Sequence, residues 1–192
     1  MPVCRNGPKP GNTILPLLAC FAIAACDSRP QGGQFEINNV TANWSNGHMA
    51  VRFEQDLSFS PEARKALVHG VPLTVGVELV LRDAQTQTRV KKKQSRYEIR
   101  YLPLSERYQL SGQENSSIQT FPRLRHALAE LGSLEVNFDT GALPRGEYEL
   151  LARSFLDKQK MPPPMRLPVL FSPRWNHESA WTSWPLEIEP GA

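Results

Sequence analysis

From Val71 to Leu81 every odd position is apolar: Val71, Leu73, Val75, Val77, Leu79 and Leu81. The even positions between them include Pro72, Thr74, Gly76 and Glu78. A period of two sends alternate side chains to opposite faces of an extended chain, so this stretch is read as a strand with one face on a core. Met49, Val51 and Phe53 alternate with Arg52 and Glu54 in the same way, and Leu134, Val136 and Phe138 with Glu135, Asn137 and Asp139. Tyr97, Ile99 and Tyr101 lead through Leu104-Ser105-Glu106-Arg107 into Tyr108 and Leu110, which predicts a hairpin. Gly146 to Leu156 predicts a further long strand, and Trp184, Leu186 and Ile188 a short closing one.

Two short helices are expected within this pattern. Ser60 is a good N-cap, Pro61 suits the first helical position, and Gly70 stops the segment after Val68-His69. Pro122 to Leu131 carries Leu124, Leu128 and Leu131 on one face and ends at Gly132. Strands in this number, with two inserted helices, predict a mainly β chain: an antiparallel β-sandwich, immunoglobulin-like in outline. A single curled sheet packed by the helices is the alternative. The run Met161-Pro162-Pro163-Pro164-Met165 is expected to be an extended connection, because proline breaks helix interiors and central strands. No internal repeat is visible.

The N-terminus carries a different kind of signal. Arg5 and Lys9 precede an apolar run, Ile14 to Ala25, of about a dozen residues, roughly half a bilayer span and interrupted by Pro16. It ends in Ile23-Ala24-Ala25-Cys26, where small residues before a cysteine suit a lipoprotein signal peptidase. The expected organisation is a signal peptide over 1–25, a lipidated N-terminus and flexible spacer over 26–34, and one β-sandwich domain over 35–189. Cys26 is the lipid-attachment residue, and Asp27 behind it the residue that would sort the protein to the inner membrane. Ala22-Ile23-Ala24 also fits ordinary cleavage, which would release a soluble periplasmic protein, and Leu17-Leu18-Ala19-Cys20 is a second, shorter lipid site. Cys4, Cys20 and Cys26 are the chain's three cysteines, so a mature domain lipidated at Cys26 keeps no free thiol and folds without disulfides.

Processing also changes the charge balance. Lys plus Arg number 22 against 19 Asp plus Glu. Loss of Arg5 and Lys9 with the signal leaves 20 against 19. A near-neutral domain has little electrostatic ground for binding nucleic acid, and none is expected as a partner.

Catalytic constellations are scarce. His48, His69, His126 and His177 lie far apart, outside any His-Glu-x-x-His or Cys-x-x-Cys spacing, so each reads as exposed or singly hydrogen-bonded and no metal is expected. A Gly-x-Ser-x-Gly elbow and a phosphate-cradling glycine loop are both missing, so no cofactor and no enzymatic role are expected. Two features suit binding instead. Lys91, Lys92, Lys93 and Arg96, with Arg89 and Arg100 beside them, would either contact a membrane or partner, at about 1 kcal/mol per cation near anionic headgroups, or guard an exposed strand edge. Trp175, Trp181 and Trp184 would form a ligand platform or, as large aromatics more often do, pack against the core.

These same residues carry a family likeness. Phe171-x-x-x-Trp175-Asn176-x-x-Ser179-x-Trp181-x-x-Trp184, Leu67-Val68-His69-Gly70-Val71-Pro72-Leu73, Tyr97-x-Ile99-x-Tyr101-x-x-Leu104-x-x-x-Tyr108 and Phe121-x-x-Leu124-x-x-Ala127-Leu128-x-x-Leu131-Gly132 together resemble the proteobacterial domain-of-unknown-function family 4390. The likeness spans about residues 35–189. It implies an exported protein, often encoded beside NtrY-like sensor kinases, and it supplies no catalytic residues. The lipid-attachment cysteine and the lysine-rich hairpin depart from the family pattern. The expected function is a non-enzymatic interaction module, held by its N-terminal lipid at the periplasmic face of the inner membrane, with a sensor kinase's periplasmic region as partner. The alternative is an envelope glycan- or lipid-binding module that uses the tryptophan segment.

Overall fold

A computed structural model describes residues 32–112 and 118–189. Nine strands and three α-helices make up this part of the chain: β1 (Gln34–Ser45), β2 (His48–Ser58), α1 (Pro61–Val68), β3 (Leu73–Asp83), β4 (Arg89–Leu102), β5 (Arg107–Gly112), β6 (Ile118–Phe121), α2 (Leu124–Gly132), β7 (Ser133–Asp139), β8 (Gly146–Leu156), α3 (Pro163–Phe171) and β9 (Thr182–Ile188). Short 3-10 turns flank α3 at Lys158–Lys160 and Pro173–Trp175. All strand pairs are antiparallel.

The strands form two sheets, β1-β2-β7 and β6-β5-β4-β3-β8-β9. Lettered in chain order, β1, β2 and β7 take the places of A, B and E in an immunoglobulin sandwich, and β9, β8 and β3 those of G, F and C. The agreement is partial. Among the described residues the small sheet has no D strand, and β6 lies instead at the far edge of the large sheet. The fold class stands at two antiparallel sheets with inserted helices.

Local chemistry accounts for the elements. Asn46 and Gly47 both have positive φ, 50° and 85°, as a two-residue hairpin loop between β1 and β2 requires. The Ser60 hydroxyl accepts the Ala63 N–H at 3.1 Å and caps α1, and Gly70, at φ 89°, lets the chain turn out of it. The proline run departs from the sequence expectation. Pro163 and Pro164 form the first turn of α3, where a missing N–H leaves no bond unmade. The chain thus has a third helix in place of an extended link.

Apolar side chains gather in two clusters. One lies between the sheets and includes Met49, Val51, Phe53, Val77, Leu79, Leu81 and Leu150. The other sits under α1 and α2 and includes Leu67, Leu73, Val75, Ile99, Leu131 and Trp175. Buried polar groups occur near their junction: Gln55 Nε2 donates to the Leu131 carbonyl at 2.7 Å, and Gln55 Oε1 accepts from the Ser154 hydroxyl. Gly33, read from sequence as flexible spacer, is packed. A Cβ there would meet His177 Cδ2 at 1.9 Å and the Ser58 carbonyl at 2.3 Å. Gln34 is already in β1.

Candidate functional site

The segment from Asp157 to Trp181 joins β8 to β9, and part of it lines a cleft on the outer face of β3, β4 and β8, opposite the inter-sheet core. Strand register brings the side chains of this face together: Glu78 stands beside Gln94 of β4 and Arg153 of β8, and Gly76 beside Arg96 and Phe155. The Phe155 ring lies over Gly76, where a Cβ would approach it to 2.6 Å, so this glycine makes room for the aromatic. The cleft has a volume of about 450 Å³ and is lined by Glu78, Lys92, Arg96, Arg153, Asp157 and Lys158, among others.

Its charges hold one another. Glu78, only 4% exposed, accepts two hydrogen bonds from Arg153, at 2.8 and 3.1 Å, and pairs with Lys92. Arg153 also reaches Glu178 at 2.6 Å. Its guanidinium lies between two rings, 5.2 Å from Phe155 and 4.7 Å from Trp181. Arg96 Nε donates to Asp157 at 2.9 Å, and the other Asp157 oxygen accepts the Gln159 N–H at 3.1 Å. Burial opposes ionisation of Glu78, but the hydrogen bonds and charges of Lys92 and Arg153 outweigh it and hold the carboxyl below its ordinary value. For Arg153, burial favours loss of the proton, and Glu78 and Glu178 more than reverse this. Both groups are therefore fixed charges.

His177 borders the cleft from the core side and is 1% exposed. Its Nε2 accepts the Ser60 N–H at 2.9 Å, which leaves the proton on Nδ1, a buried atom that closes no hydrogen bond. Phe35 and Phe59 meet the ring edge-on at 5.6 and 5.7 Å. Burial lowers its basicity, the Trp175 backbone opposes this in part, and Lys158 lowers it further. His177 is thus a histidine with one side-chain hydrogen bond, one of the two states expected of the four, and it belongs to the core. A continuation of period two, with Trp175, His177 and Ser179 buried and Asn176 and Glu178 between them, is the signal that finds it. Glu78 was the harder residue to see, because a lone acid in an alternating strand looks like any solvent-facing position.

The basic run of β4 does not present one surface. Lys92 and Arg96 are on the cleft side, whereas Lys91 and Lys93 stand on the other face beside Leu81 and Leu79. β5 pairs with β4 only over Tyr97–Leu102, so no strand among the described residues pairs with Arg89–Arg96 on the side away from β3. The three tryptophans also separate. Trp175 is buried under the helices, Trp184 is half-buried against the inter-sheet core with its Nε1 on Thr182 at 3.3 Å, and Trp181, 44% exposed, stacks on Arg153. A three-tryptophan platform is therefore not assembled. His48 pairs with Asp139 at 3.1 Å on the surface, and His69 Nδ1 lies 2.6 Å from the Lys65 carbonyl. Among the described residues, no group of three or more His, Cys, Asp or Glu is arranged to hold a metal ion. Cys26 and Asp27 lie outside the described residues.

A protein-family model described as "Domain of unknown function (DUF4390)" matches residues 33–185. No curated protein and no solved structure matches the chain.

Proposed function

The chain belongs to the DUF4390 family, and from that premise and the geometry of the cleft we propose that it is a non-enzymatic interaction module of the cell envelope. Lipid on Cys26 tethers it to the periplasmic face of the inner membrane, and the outer-face cleft binds a partner protein there. One observation carries the reading: Glu78 and Arg153 are paired with each other and with Lys92 and Glu178 and are held in their charged forms, and Arg96 is paired with Asp157 beside them. General acid–base work favours a group whose pKa lies near the working pH, whereas Glu78 is pushed away from it. Fixed, oriented charges around a concavity serve recognition. A sensor kinase's periplasmic region is the partner we put forward.

The test is photocrosslinking in cells from a reactive residue placed at Lys158 on the cleft rim, with Asn43 on the small sheet as the control position. The expected result is an adduct with an envelope protein from position 158 only, lost in the Arg153→Ala variant. Equal adducts from both positions, or none from 158, would overturn the reading. Mass spectrometry of the mature N-terminus tests the tether: a diacylglyceryl group on Cys26 supports it, and an unmodified terminus removes it.

Glycan binding is favoured by a single feature. Trp181 is exposed beside the cleft with its ring held by Arg153, an arrangement that suits stacking of a sugar face.

A further inference from the structure

Helix α3 carries its apolar residues on the wrong side for a core. Of its nine residues, Val169 is buried and Met165 half-buried, whereas Leu167, Leu170 and Phe171 are 68%, 49% and 84% exposed. Isolated surface leucines are ordinary, but three large apolar side chains within five positions of one short helix form a patch. We propose that α3 is an interfacial helix, which lays this face of the domain on an anionic lipid bilayer.

Two observations name the bilayer as the occupant. The first is where the described chain begins. Gly32 and Gly33 line a hollow of about 520 Å³ together with Leu170, Phe171 and Lys158. Cys26 stands six residues before Gly32, so a lipid on its thiol holds α3 within about 20 Å of the membrane. This part of the inference rests on the tethered reading above. The second is charge. Between Lys158 and His177 the sequence contains Lys158, Lys160, Arg166 and Arg174 and no acid, and the acids that flank this stretch, Asp157 and Glu178, are paired with Arg96 and Arg153. Arg166 is at the helix itself, its Nε on the Met161 carbonyl at 2.8 Å, and Arg174 follows it, 3.4 Å from Glu62. Apolar side chains flanked by cations are the composition of a helix that lies in the headgroup layer. The lysines of β4 are a poorer membrane contact, because register divides them between two faces.

The tether alone leaves a domain free to tumble, whereas a second contact at α3 fixes its orientation. With α3 down, the Lys158–Lys160 turn that it contacts and the Asp157 side of the cleft are held near the membrane plane, where the membrane-proximal part of a partner would stand. The lipid contact therefore decides which face a partner meets.

The experiment uses the full chain, purified from membranes and reconstituted into vesicles of phosphatidylethanolamine and phosphatidylglycerol that include a phospholipid with a photoreactive acyl chain. After irradiation, adducts are mapped by mass spectrometry. Adducts are expected on the peptide that holds Leu167–Phe171 and not on the β1–β2 hairpin. The double variant Leu170→Glu/Phe171→Glu should lower their yield at least about tenfold, since it replaces two apolar side chains of the contact with charges that the bilayer interior excludes. Replacing phosphatidylglycerol with phosphatidylcholine should lower the yield several-fold. A parallel arm applies the Cys26→Ser chain to the same vesicles and separates them by flotation. Adducts on α3 in both arms support the inference even if Cys26 proves unmodified, which sinks the tether alone. Lipid on Cys26 with no adducts on α3, or with adducts unchanged in the double variant, overturns the inference and leaves the tether standing. Dimers crosslinked through α3 in place of lipid adducts overturn it as well.

Discussion

Around Leu79 and Glu78, β3 has two faces that are both withdrawn from water, by opposite means, and β8 lies beside it on both. On the inner face Val77, Leu79, Leu81, Leu150 and Ala152 pack against the small sheet, and burial of apolar area is sufficient. On the outer face, one residue along each strand, Glu78 and Arg153 lie beside the Asp157–Trp181 connection. There the strands carry charge, and charge out of water must be paired and hydrogen-bonded. The inner face is specified by pattern and tolerates exchange among apolar residues of like volume. The outer face is specified by partners, and each member depends on the others being present.

The widest gap between the faces is expected when one residue of each is truncated. Leu79→Ala removes a side chain that is 1% exposed, and should cost about 2–5 kcal/mol in urea unfolding, through lost burial and the cavity left behind. Val80→Ala, the next residue but on the outer face and half-buried, should cost about 1 kcal/mol or less. Equal costs would mean that the two faces are packed alike.

A smaller effect separates pattern from partnership. Glu78→Leu leaves Arg153 with Glu178 alone and Lys92 without its acid, and should destabilise by about 1–3 kcal/mol, because Lys92 is half exposed and regains water. Adding Arg153→Met should recover most of that loss, since an apolar pair can replace a buried ion pair. Additive costs in the double variant, read from a thermodynamic cycle, would show that the pair acts as something other than a mutual requirement.

Acid titration sharpens the same contrast in two windows. His177 has a lowered pKa, so the unfolded chain binds the proton first and stability falls as pH drops below the ordinary value of 6.5. Glu78 also has a lowered pKa, so its contribution is present above 4.5 and is lost as pH falls further through the folded value. His177→Gln, which keeps a side-chain acceptor for the Ser60 N–H, should flatten the upper window of a stability–pH curve, and Glu78→Gln the lower one. Either variant acting in the other's window would break the assignment.

The faces differed in how far the sequence revealed them. The inner face was legible because period two is a direct consequence of strand geometry: Val71–Leu81, Met49–Phe53 and Leu134–Phe138 all proved to be in or next to strands with that face buried. Ser60, Pro61 and Gly70 marked α1 for equally local reasons. The cleft was not legible. Glu78, Lys92 and Arg153 lie in three different strands, and only their register brings them together. The Asp157–Trp181 connection hid itself by composition: its prolines argued against a helix, though two of them begin one, and its buried alternation runs through His177 and Ser179, which an apolar count passes over.

The smallest effect is expected at the cleft mouth, and it separates two tryptophans that looked alike in sequence. Trp175→Ala should cost about 3–5 kcal/mol, since its ring is buried among the helices. Trp181→Ala removes a ring that covers the Arg153 guanidinium but leaves that group bonded to Glu78 and Glu178. Cation–π stacking at a partly exposed site is worth about 0.5–1 kcal/mol, so unfolding should shift by no more than that. Trp181→Phe should retain part of the stacking and fall between wild type and alanine. If Trp181→Ala instead unfolded the chain as readily as Trp175→Ala does, Trp181 would be a structural clamp, and its exposure beside the cleft would no longer favour a sugar. A small loss of stability with a large loss of partner or glycan binding is the result that makes this ring part of the recognition surface.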